Sequence, residues 1–219
     1  PSTTTNVARL YHASVGRTDD EAAKREGFYA YYMQGVGTEF KEIGEFKPDS
    51  QGLTMSAGGE NRINWGLTRL IDALKRATGD PYLDTDDAYA LVQKMGTSFT
   101  EDALGASLFK SSYTRRQEAL VQPLAELKSQ IDAAHEAKTI AKIMAVRLFV
   151  YGFSRGAAEA RAFASWLEAL TKVEVQGETC YLFAGLPIKI VFMGLFDTVA
   201  SVGIPYLVPF AAGHMGWAD

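Results

Sequence analysis

The sequence predicts an α/β fold, a mostly parallel sheet flanked by helices, on three observations. Two apolar runs, Arg147-Leu148-Phe149-Val150-Tyr151 and Ile188-Lys189-Ile190-Val191-Phe192-Met193-Gly194-Leu195-Phe196, are nearly continuous in strand-forming residues. A small-residue helical stretch, Ala157-Ala158-Glu159-Ala160-Arg161-Ala162-Phe163, lies between them. The aromatic, β-prone segment Phe28-Tyr29-Ala30-Tyr31-Tyr32 runs into Gln34-Gly35-Val36-Gly37-Thr38, a strand-then-loop pattern.

The elements follow in chain order. After a Ser/Thr-rich opening, Asn6 to Tyr11 reads as a short helix. Residues 41–61 are polar and carry Gly44, Pro48, Gly52, Gly58 and Gly59, a long loop. Ile63, Leu67, Leu70, Ile71 and Leu74 keep helical spacing up to the stop Gly79-Asp80-Pro81. Residues 80–114 are acidic with short helical patterns. Leu120, Leu124, Leu127 and Ile131 then mark an amphipathic helix, with Pro123 expected near its first turn. The block from about 80 to 140 is too long for a simple crossover and is expected to be a mainly helical insertion. There is no internal repeat. Residues 1–219 are expected to form one catalytic core, incomplete at both ends, since the chain opens on Pro1 and stops at Trp217-Ala218-Asp219 without a terminal helix.

Composition narrows the function. With 22 Lys+Arg against 26 Asp+Glu the net charge is -4, which argues against a nucleic-acid partner. A lone cysteine, Cys180, forms no internal disulfide. No apolar stretch is long enough to span a bilayer as a helix, and there is no basic-then-apolar signal pattern.

The chemistry centres on Gly152-Phe153-Ser154-Arg155-Gly156, a G-x-S-x-G turn between a strand and a helix. That is the nucleophile elbow of α/β-hydrolases, so the expected sheet is α/β-hydrolase-like. The turn is tight enough to strain the serine backbone, and the flanking glycines keep side chains clear of it. Ser154 Oγ then stands above the sheet edge as nucleophile, and the backbone N–H of Arg155 faces a developing oxyanion. The plain alternative is an ordinary glycine-rich turn; the apolar strand before it and the alanine-rich helix after it favour the elbow. Asp197, at the carboxyl end of the later strand, suits the triad acid in Ser–Asp–His order and equally suits a turn cap. Of three histidines, His12 and His135 are expected to be solvated. His214 has the right order, but no strand separates it from Asp197, so the base is expected beyond Asp219.

Other features are bland. Gly35 and Gly37 could cradle an anion but read better as a loop at a strand end. The absence of G-x-x-x-x-G-K-[ST] excludes a P-loop. No His/Cys/Asp/Glu cluster has zinc spacing. The apolar, proline-broken stretch Gly203 to Phe210 is read as buried rather than acyl-contacting, and the Arg155 and Arg161 side chains as structural.

Four segments together carry a resemblance: Gly152 to Arg161, Phe196 to Gly203, Thr5-Asn6-Val7-Ala8-Arg9-Leu10, and Tyr32-Met33-Gln34-Gly35-Val36-Gly37-Thr38. In this order they resemble the bacterial type VI secretion lipase effectors of the first class, within a broad α/β-hydrolase family. The resemblance implies a serine phospholipase of the A type, with Ser154 as nucleophile and Asp197 as triad acid. It also implies no metal or organic cofactor, delivery to a rival cell's periplasm, action at the membrane, and two partners: an immunity protein and a secretion-machine component. An Asp-Gly-Thr first strand, the family histidine and a membrane-engaging region lie outside this chain, so the piece alone is expected to be inactive. An esterase for non-membrane acyl substrates and a non-catalytic binding domain are the competing expectations.

Overall fold

The structure, a computed structural model, describes residues 5–46, 59–96 and 112–198. In chain order it contains α1 (Asn6–Ala13), α2 (Glu21–Arg25), a 3-10 turn (Lys41–Ile43), α3 (Gly59–Thr78), α4 (Thr85–Met95) and α5 (Ser112–Glu136). There follow β1 (Val146–Phe153), α6 (Arg155–Thr171), β2 (Lys172–Val175), β3 (Glu178–Phe183) and β4 (Leu186–Phe196).

The described sheet corrects the expected architecture. It has four strands in the order β1-β4-β3-β2. Only β1 and β4 are parallel; β4, β3 and β2 form an antiparallel meander, so this is a small mixed sheet rather than a mostly parallel α/β-hydrolase sheet. Two turns are the cause. Val175 pairs with Glu178 around Gln176 (φ 53°) and Gly177 (φ 83°), and Phe183 pairs with Leu186 around Ala184 (φ 48°) and Gly185 (φ 78°). Two-residue loops with both residues left-handed match the twist of antiparallel strands and force a hairpin.

Three smaller corrections follow. The strands are not buried on both faces: β1 alternates, leaving Phe149, Tyr151 and Phe153 exposed. Residues 28–35 form no strand. Instead the Ala30 amide donates to the Gly16 carbonyl at 2.8 Å, and a Cβ on Gly16 would fall 2.3 Å from the Phe28 oxygen, so this segment lies directly against a left-handed glycine. Pro123 lies inside α5, not in its first turn. Its missing N–H costs the helix one backbone bond, offset by burial of Leu120, Leu127 and Ile131 along one face.

The chain divides into two compact units. One, from Asn64–Leu148 and Phe163–Val191, holds a core of Leu67, Ile71, Met95, Leu127, Leu167 and Phe183 with their neighbours. Within it the buried Asp72 accepts from Arg76 and from the Leu83 amide, which fixes the chain between α3 and α4. The other, from Pro1–Ile63, Phe149–Ala162 and Phe192–Asp219, buries Val36, Phe40, Ile43, Ala157 and Ala160, and contains the Ser154 turn.

If the turn at 176–177 sets the antiparallel course, Gln176→Asn stabilises the protein by about 0.5–1 kcal/mol, because asparagine tolerates the left-handed region. Gly177→Val destabilises it by about 1–2 kcal/mol. Urea unfolding midpoints measure both, and a neutral Gly177→Val speaks against the hairpin.

Candidate active site

The bend at Ser154 is built by backbone contact. β1 ends at Phe153, Ser154 takes φ 56°, and α6 starts at Arg155, with the Ala157 amide donating to the Ser154 carbonyl at 3.0 Å. Gly152 is indispensable here: a Cβ on it would lie 2.2 Å from the Gly156 oxygen and 2.6 Å from Ala157 Cα. Gly156 is different. Its nearest neighbour to a built Cβ, Glu159 Oε2 at 3.8 Å, is an ordinary contact, so only the first glycine of the motif is required by space.

Among the described non-glycine residues with positive φ, Gln176 and Ala184 belong to hairpin turns and Lys138 follows the end of α5. Ser154 and Asp197 (φ 45°) have no such explanation, and they are neighbours. The Ser154 amide donates at 2.9 Å to the carbonyl of Phe196, the residue before Asp197. The carboxyl ends of the two parallel strands therefore set the half-buried Ser154 beside the exposed Asp197. Backbone strain of about 1–3 kcal/mol per residue persists only where surroundings enforce it, and such residues concentrate at functional sites.

Arg155 sends its side chain away from this chemistry: Nη2 donates to the Val36 carbonyl at 3.0 Å. The same loop is held by Arg62, whose side chain is fully buried. Its Nε donates to the Gln34 carbonyl at 2.9 Å, and Nη2 donates to Gly35 at 3.2 Å and Thr38 at 3.0 Å. Nη1 and Nη2 reach both oxygens of Glu45, at 2.9 and 2.7 Å. Gly35 thus contributes a carbonyl, and Gly37 its left-handed φ of 79°, to a loop whose oxygens converge on guanidinium groups.

Glu159 lies one turn along α6 from Arg155, 1% exposed, and its Oε1 has no hydrogen-bond partner. Burial pushes its carboxyl up to about 8 from an ordinary 4.5, against the pull of Arg62 and Arg155; Glu45 adds a small push in the same direction as burial. Burial therefore favours the neutral form of this carboxyl, and Arg62, Arg155 and Glu45 are charges that act on it. Sequence reasoning missed Arg62, Glu45 and Glu159. The i, i+4 spacing of Arg155 and Glu159 was the one visible signal.

The described histidines are engaged elsewhere. His12 is exposed on α1 against the Tyr11 ring. His135, expected to be solvated, is half-buried, and its Nε2 accepts from the Ile143 amide at 3.0 Å. His214 and the stretch Gly203 to Phe210 lie outside the described residues. Arg161 is exposed on α6. Among the described residues no group of three or more His, Cys, Asp or Glu could hold a metal ion, and no helix is long and apolar enough to cross a membrane.

Two predictions arise from this geometry. Gly152→Ala costs about 3 kcal/mol or prevents folding, whereas Gly156→Ala changes stability by less than about 1 kcal/mol, in the stabilising direction; thermal unfolding of the pair tests the difference. Between pH 4.5 and about 8 the folded protein keeps the Glu159 proton that the unfolded chain loses. Stability contributed by this group is thus full below pH 4.5 and falls as pH rises to about 8. Glu159→Gln removes that slope, measurable as unfolding midpoints at several pH values.

Comparison with known proteins places the fold beside a larger molecule. The chain matches a crystal structure described as an uncharacterized protein from Pseudomonas aeruginosa, with 46% identity and a TM-score of 0.84. The match covers 98% of this chain and 28% of that one, so the chain spans little more than a quarter of its structural relative. No protein-family model and no curated protein matches it.

Proposed function

We propose that the chain carries the nucleophile and acid of a serine hydrolase that cleaves phospholipid acyl esters. The observation that supports this most is the left-handed Ser154 between β1 and α6, hydrogen-bonded through its amide to the strand end that carries Asp197. This reading needs the bend and the adjacent strand end, not a mostly parallel sheet. Its substrate class and biological setting rest on the resemblance of four sequence segments to type VI secretion lipase effectors.

The reaction then proceeds in two halves. Ser154 Oγ attacks the acyl carbonyl while a histidine, oriented by Asp197, takes its proton; amides including that of Arg155 stabilise the oxyanion. Collapse breaks the ester bond, and the histidine returns the proton to the departing lysophospholipid oxygen. Water, deprotonated by the same histidine, attacks the acyl-serine, releasing fatty acid and restoring Ser154. The histidine is outside the described residues. As an effector, the enzyme would act on the membrane from the target cell's periplasm. An immunity protein would neutralise it, and a component of the secretion machine would carry it.

Fatty-acid release from phosphatidylethanolamine vesicles by the full-length protein tests the proposal. Ser154→Ala lowers the rate by about 10³-fold or more, and Asp197→Asn by about 10²–10⁴-fold. Equal release by wild type and Ser154→Ala removes the lipase reading. Turnover of soluble short-chain esters with no gain from vesicles favours the esterase.

A further inference from the structure

The carbonyls of Gln34, Gly35, Val36 and Thr38 all accept from two guanidinium groups, Arg62 and Arg155. In a trans peptide the N–H points opposite to the C=O, so the amides of Gly35, Val36, Gly37 and Glu39 turn away from those cations. Because Arg155 directly follows Ser154, its hydrogen bond to the Val36 carbonyl ties this loop to the nucleophile turn by the length of a single side chain.

Resting on the reading of Ser154 as nucleophile, we infer that Arg62 and Glu159 are positioning residues, a buried clamp that holds loop 34–38 in place beside the Ser154 turn. Arg62 gathers the loop, with its charge answered by Glu45. Glu159, one turn along α6 from Arg155, is buried with its Oε1 lacking a hydrogen-bond partner. Among the described residues, the charged groups that act on it are Arg62 from α3, Arg155 from its own helix and Glu45 from the segment before α3. An ionised carboxylate there would draw both guanidinium groups off the loop carbonyls, because charged acceptors bind them about twice as strongly as neutral ones. The clamp is therefore closed while Glu159 is protonated and loosens as it ionises.

The test uses the full-length protein and two readouts: the rate of fluorophosphonate capture at Ser154 from pH 6 to 10, and amide exchange at pH 7 in peptides covering residues 34–38. Arg62→Lys cannot make the two-point pair with Glu45. It is expected to speed exchange in 34–38 about tenfold and slow capture about tenfold, with exchange in the β2–β3 hairpin unchanged. Wild-type capture is expected to decline above about pH 8; Glu159→Gln, the neutral isostere, is expected to match wild-type capture at pH 7 and to lack that decline. Wild-type exchange in Arg62→Lys, or an unchanged alkaline decline in Glu159→Gln, overturns the clamp. Failure of the wild type to be captured overturns the serine reading instead, and the exchange result then judges the clamp by itself.

Discussion

A single backbone collision governs the site. At Gly152 the end of β1 passes so close to Gly156 and Ala157 that no side chain fits. That approach lets α6 start immediately after the strand and leaves Ser154 in the left-handed region. An ordinary L-residue there carries about 1–2 kcal/mol of strain. Two bonds hold it: the Ser154 amide on the Phe196 carbonyl and the Ala157 amide on the Ser154 carbonyl. The first also registers β1 on β4, so one interaction both fixes the serine and brings Asp197 alongside.

Behind the bend, the same unit contains a cluster that is costly unless complete. Arg62 is wholly buried and meets that cost with Glu45 and three carbonyls. Leaving such a charge unpaired would cost several kcal/mol, so the loop from Gln34 to Thr38 is fixed by the need to satisfy it. Burial acts on Glu159 differently, by favouring its protonated form. The bonds from Arg62 and Arg155 give this short irregular loop side-chain partners in place of a ladder.

The legible parts of the sequence were those written in local pattern. The spacing of Ile63, Leu67, Ile71 and Leu74 marked α3, the alanines after Gly156 marked α6, and the elbow stood out between an apolar run and that helix. The sheet was misread because Lys172 to Leu186 carries its information in two inconspicuous pairs, Gln176-Gly177 and Ala184-Gly185, whose left-handed backbone reverses the chain. Neither is Asn-Gly or Asp-Gly, the pairs that announce such turns. Phe28 to Tyr32 has β-prone composition yet no strand: the Phe28 amide donates to the Ala23 carbonyl and the Ala30 amide to the Gly16 carbonyl, rather than to a ladder. Glu159 was invisible for a related reason. A glutamate on an alanine-rich helix looks solvated, and only the packing of α6 decides otherwise.

The central claim is that strain at the β1–α6 junction presents Ser154 as a nucleophile beside Asp197. A crystal structure of the full-length protein after reaction with a fluorophosphonate tests it most directly. The account predicts phosphorus bonded to Ser154 Oγ, φ still positive at that residue, and a histidine bridging it to the Asp197 carboxylate. An adduct on another residue, or Ser154 unmodified with its hydroxyl turned into the core, would contradict it.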